Sequence, residues 1–191
     1  MKLFSKIFLT VLASHFLLTP ALSAPDTQVC EQCHGKNGVS HNPDAPTLAG
    51  LPAINIEDAL YAFANGLRPE SQSPDNQDAG HKLSQDSAVL LASYFAKQKF
   101  IPTQQTFNPS KVSLGKRIFD LKCESCHTDA GSMADDETSL LAGQHTPYLR
   151  KQINHFISGA RKNSSGTRKD TLDGLKEKHI NALLDYLASH Q

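Results

Sequence analysis

The chain has 191 residues, with 19 basic and 19 acidic side chains and no tryptophan, a length that suits one ordinary domain or two small ones. The balanced charge excludes the basic surface that a nucleic-acid partner requires, and nothing in it points to a membrane surface. With few aromatics, two domains of about 80 residues are short of apolar side chains to bury, so something else is expected to fill their cores.

Residues 1–24 read as a secretory signal peptide. Lys2 and Lys6 form a basic start, Ile7–Leu18 a short apolar run, and Ala21-Leu22-Ser23-Ala24 a small-residue cleavage region. The run is short of the roughly 18 residues that cross a bilayer, and no later stretch reaches that length. The mature chain is therefore expected to be exported without membrane insertion and, in a cell with two membranes, to be periplasmic. Without Lys2 and Lys6 it carries 17 basic and 19 acidic side chains, a formal net of −2.

A first module is expected at 25–101. It reaches Cys-Glu-Gln-Cys-His, residues 30–34, almost at once, which leaves little room for a leading helix. Pro46-Thr47-Leu48-Ala49-Gly50 follows, then a helical stretch carrying Leu60 and Phe63 up to Gly66. Ser84 is placed to cap a helix that buries Leu90, Leu91, Tyr94 and Phe95. Lys99 to Val112, with Pro102 and Pro109, reads as a connection, the linker itself being 102–110. A second module, 111–191, opens on an amphipathic helix over Lys111–Leu121 with Leu114, Ile118 and Phe119 on one side. Cys-Glu-Ser-Cys-His, residues 123–127, comes next. Thr146 as N-cap and Pro147 as first helical residue start a helix through Phe156 that stops at Gly159. The last helix presents Ile180, Leu183, Leu184 and Leu187 at three-and-four spacing. No segment alternates as a strand, so the fold class is all-α.

The two modules are copies. At an offset of 93, Cys30, Cys33 and His34 fall on Cys123, Cys126 and His127, and Leu48-Ala49-Gly50 on Leu141-Ala142-Gly143. Leu60, Phe63 and Gly66 fall on Ile153, Phe156 and Gly159. After a one-residue deletion the register continues at 92, with Leu83, Leu91 and Tyr94 on Leu175, Leu183 and Tyr186.

A Cys-x-x-Cys pair serves as a redox dithiol, as half of a zinc site, or as a haem anchor. A redox dithiol has no use for the adjacent His, and a zinc ribbon needs its pairs about 15–20 residues apart rather than a module apart. Haem attachment uses every residue: two thiols one helical turn apart form thioethers with the porphyrin's vinyl groups, and the His gives its imidazole to the iron. Structural disulfides are the competing reading, which an oxidising compartment permits. Two covalently bound haem c groups are the expected cofactors, and they also account for the thin cores. A ligating imidazole needs its other N–H satisfied. The Pro46 carbonyl is placed to do this for His34, and Ser139 stands at the same register for His127.

With Cys-x-x-Cys-His, the following Leu-Ala-Gly and the helix pattern in hand, the chain resembles class I c-type cytochromes, and in tandem the dihaem cytochromes of the c4 type. The stretches CESCHTDAGSMADDETSLLAGQHTPYL and YFAKQKFIPTQQTF are most similar to the cytochrome subunit of flavocytochrome c sulfide dehydrogenase. That resemblance implies a redox partner, an FAD-containing sulfide-oxidising subunit whose electrons the cytochrome accepts. It also implies that Gly115 and Phe119 form the contact where the second module's first helix crosses its last near Tyr186; the first module has no such pair.

The family's second axial ligand is a Met, and here the matching positions are Asn76 and Arg168. The mature chain's one Met, Met133, follows His127 by six positions and is a poor ligand candidate. His81 lies in the right loop and is the candidate sixth ligand of the first haem, with Lys82 and Asn76 behind it. Lys162, Arg168 and Lys169 occupy the equivalent loop of the second, where water or an open position is the expectation, since Arg stays protonated. His155 and His179 are expected to be exposed on helices, His145 to bind no iron, and His41 to have no role. Losing the thioether should lower the potential, and at least one haem is expected to be high-spin and to bind CO when reduced. The acidic loop MADDE and the basic loop ARKNSSGTRK read as solvated, although the latter could steer an acidic partner.

No acid–base pair is aimed at either site. The expected function is single-electron transfer as the electron-accepting partner or subunit of a redox enzyme. A haem enzyme or small-ligand sensor working at an open iron is the alternative.

Overall fold

The computed structural model describes residues 25–69, 81–134, 138–162 and 171–191. The expected signal peptide, Asn76, Arg168 and Lys169 lie outside these residues, as do parts of the acidic and basic loops. Among the described residues the regular structure is helical, with no strand, and no helix is long and apolar enough to cross a membrane.

The first pentapeptide forms most of a short helix, α1 (Gln28–His34), so a leading helix exists but consists of the motif itself. α2 (Ala53–Ala64) follows Pro52. α3 (Gln85–Ala96) starts where expected, the Ser84 hydroxyl accepting from the Ser87 N–H. Its inner face is Ala88, Leu91, Ala92 and Phe95. Leu90, expected inside, is 45% exposed, and Tyr94 is only half-buried, its hydroxyl donating to Asn37 Oδ1. The reason is angular: the buried four follow three-and-four spacing, and Leu90 stands off that stripe.

α4 (Pro109–Lys122) begins two residues before Lys111, within the expected linker. Asn108 Oδ1 accepts from the Ser110 N–H and Pro109 occupies the first turn, so Asn-Pro is a helix start rather than a loop. In α5 (Thr146–Ile157), Thr146 is the first helical residue and His145 holds the cap position. The Thr146 N–H and hydroxyl both donate to Gln105 Oε1, so its side chain is unavailable for capping. α6 (Glu177–Ala188) buries Ile180, Leu183, Leu184 and Leu187 as expected, with Tyr186 beside them.

α4 crosses α6 at Gly115, where an added Cβ would lie 2.0 Å from the Ala182 carbonyl oxygen. The rings of Phe119 and Tyr186 meet 5.4 Å apart just beyond, as the Gly-x-x-x-aromatic pattern implied. Ile118, Phe119, Leu149, Leu183 and Leu187 belong to one core. The other joins Leu51, Ile56, Leu91 and Phe95 with Leu140, a residue from the second half of the chain. The repeated Leu-Ala-Gly turns clasp the connection between the halves. Gly50 and Gly143 share φ +74°, and the positions their Cβ atoms would occupy are filled by Phe100 and Pro102.

The halves are also joined by polar contacts. The Gln144 amide accepts from the Thr47 N–H at 2.9 Å and donates to its carbonyl at 2.8 Å. The Lys162 N–H donates to the Leu67 carbonyl. Gln105 N–H donates to the Gln191 side chain and Asn108 N–H to Asp185, tying the connection to the end of α6 and the residues beyond it.

Candidate functional site

Each pentapeptide puts its cysteines one turn apart. The first does so inside α1. The second does so in the turn after α4, where the N–H groups of Cys126 and His127 both donate to the Cys123 carbonyl. All four cysteines are unpaired, Cys30 and Cys123 half-buried, Cys33 and Cys126 exposed. Burial pushes the Cys30 thiol up and the Cys123 thiol up to about 12. A redox dithiol needs the opposite, a thiol lowered toward the thiolate.

Both imidazoles are oriented in the same way. His34 Nδ1 donates to the Pro46 carbonyl at 2.8 Å, and His127 Nδ1 to the Ser139 carbonyl at 3.1 Å, each twelve residues on. The acceptor is backbone, so replacing Pro by Ser leaves the contact in place. With the proton on Nδ1, the lone pair of an imidazole lies on Nε2, the tautomer a metal takes up. Burial holds His34 below its usual pKa against the opposing pull of the Pro46 bond, with the Arg68 charge adding to the lowering.

His81 faces His34. Their ring centroids are 6.3 Å apart, with the ring planes at 62°. The His81 ring stacks on Phe63 at 4.1 Å and 9°, and its Nδ1 is buried without a hydrogen-bond partner. Burial, then the charges of His34 and Arg68, lower its pKa to about 4. Other candidates are placed elsewhere. Met133 is 57% exposed, and Lys82 and Lys162 are exposed. His155 is half-buried rather than exposed, lining an open groove beside Arg150 and Asn154, with Nδ1 buried and unpartnered. His179 is half-buried as well, its Nδ1 accepting from the Lys176 N–H at the start of α6. The buried His145 donates from Nε2 to the Ser40 carbonyl across the junction.

Sequence reasoning missed a cationic cluster between the modules. Arg68 is 6% exposed. Its guanidinium lies 4.5 Å from the Phe63 centroid and donates to the Tyr148 hydroxyl at 3.0 Å. Arg161 stands in the same relation to Phe156, also at 4.5 Å, and reaches the same hydroxyl. Burial alone would raise Tyr148, but the two guanidiniums outweigh it and its pKa is lowered. Arg68 and Arg161 are themselves 93 positions apart, so the repeat register carried the signal. The buried Arg68 and the half-buried Arg161, which also donates to Gln152, thus bring two positive charges to one phenol.

A haem fits these residues: paired thiols at one edge, an imidazole with a free nitrogen, a second imidazole across the gap in the first module, and cations suited to the porphyrin's carboxylates. The comparisons with known proteins agree. The cytochrome c family matches residues 112–191. The chain is 28% identical over 170 residues to cytochrome c4 of Pseudomonas aeruginosa, covering 83% of this chain and 82% of that one. It is 27% identical over 157 residues to a thiosulfate dehydrogenase electron acceptor of Thiomonas intermedia, covering 74% and 68%. The crystal structure of reduced recombinant cytochrome c4 from Pseudomonas stutzeri matches it with a TM-score of 0.72 at 26% identity, over 86% of this chain and 95% of that one.

Proposed function

We propose that the chain is a dihaem class I c-type cytochrome, a reading its likeness to cytochrome c4 supports, that it is exported to the periplasm, and that it accepts single electrons from a sulfur-oxidising redox enzyme through two covalently bound haem c groups. One observation carries it most directly: the two pentapeptide imidazoles, each with Nδ1 bonded to a backbone carbonyl twelve residues on.

In this reading Cys30 and Cys33 would hold one haem and Cys123 and Cys126 the other, with His34 and His127 offering their imidazoles to the iron. The domain limits are 25–101 and 111–191, joined by 102–110, and residues 1–24 are removed on export. Arg68 and Arg161 would take carboxylate side chains of the haems at the junction. When bound, each haem supplies a one-electron iron couple. The protein's own work is to fix the imidazoles, bury them from water and hold positive charge beside them.

For the partner, the sequence resemblance favours an FAD-containing sulfide dehydrogenase subunit, and the relative named for thiosulfate dehydrogenase supports a donor acting on reduced sulfur. Rapid mixing of the oxidised protein with each enzyme and its substrate tests this. Reduction by the flavoprotein and sulfide, faster than by sulfide alone, is expected. Reduction by the thiosulfate enzyme alone would reassign the partner, and reduction by neither would sink the proposal.

A further inference from the structure

We propose that His81 is the second axial ligand of the iron held by His34, so that the first module's metal is closed by two imidazoles. The inference rests on the haem reading above and deepens it. Metal–imidazole bonds run at about 2 Å and a ring centroid lies about 1 Å beyond its nitrogen, so two imidazoles across one metal stand about 6 Å apart. The observed separation of His34 and His81 is 6.3 Å.

Two further observations support it. The ring is held in plane against Phe63, at 4.1 Å and 9°, which gives a ligand the fixed orientation that a solvated histidine lacks. Nδ1 is buried and meets no donor or acceptor, an unusual state for an imidazole that serves only to pack.

The second module has no such group in register. The residues matching His81 are Asp173 at an offset of 92 and Gly174 at 93, and both are exposed. The two irons are therefore coordinated differently, and the first has the lower potential than a Met-ligated haem would show.

The test uses the full exported protein, with wild type and His81→Ala compared for haem content, ferric spin state and CO uptake after reduction. His81→Ala is expected to keep two haems per chain, to turn one of them high-spin, and to take up one more CO per chain than wild type. Added imidazole should restore the low-spin spectrum. An unchanged spin state and CO uptake in a variant that holds both haems would overturn the inference. Should the variant be recovered with fewer than two haems, wild type decides: its near-infrared magnetic circular dichroism is expected to show the bis-imidazole signature for one haem, and lack of that signature overturns the proposal. A wild-type protein without haem would instead refute the underlying reading.

Discussion

A single amide shows how much the junction depends on individual groups. Gln144 satisfies both backbone groups of Thr47, and both residues are fully enclosed. Gln144→Leu removes the partners of a buried N–H and a buried carbonyl, each worth about 1–3 kcal/mol when left unmet. Urea unfolding of the variant should show a loss of about 2–4 kcal/mol, which Gln144→Ala would not avoid. Arg68 works through charge instead. A buried cation near an iron favours its electron-rich state, because attraction at short range in a low-dielectric site is strong. Arg68→Gln should move the first haem's midpoint downward in a spectroelectrochemical titration, with Arg68→Lys restoring part of the shift. An upward shift would contradict the placement of that charge.

Among the elements, the crossing of α4 over α6 is the most exacting. The Ala182 oxygen and Tyr186 Cβ stand 2.0 and 2.6 Å from where a Gly115 side chain would begin, so Gly115→Ala has to spread the two helices. Overpacking of this kind costs about 1–3 kcal/mol or more, and the melting temperature should fall accordingly. Gly159 is the control. It has a positive φ of +74° but nothing within 4 Å, so Gly159→Ala should cost only about 1–2 kcal/mol from backbone strain. Equal losses for the two variants would mean that the crossing is looser than the geometry shows.

At the scale of the molecule, the halves are not independent, because Leu140 of the second half completes the core of the first. Leu140→Ala should therefore destabilise by about 2–5 kcal/mol and disturb the first haem's spectrum more than the second's. Perturbation confined to the second haem would contradict the shared core. Helix content, repeat register and the two pentapeptides were legible in the sequence because they are periodic or local. His34 and its Pro46 acceptor could be read for the same reason: a fixed spacing carries them. The junction could not be read. The Gln144–Thr47 pair spans 97 residues and the Arg68–Tyr148 bond 80, and no local pattern announces either. Asn108-Pro109 was misjudged because a helix start and a loop use the same residues. Leu90 was misplaced because hydrophobicity alone does not fix the angle of a helix face.

Covalent attachment of one haem at each pentapeptide is decided by intact mass combined with a pyridine haemochrome assay on the exported chain. The expected result is a polypeptide beginning near residue 25 with two haems attached, falling to one in the Cys30→Ala, Cys33→Ala double variant. A matured chain carrying no haem, or the same haem count after both of those cysteines are removed, would contradict it.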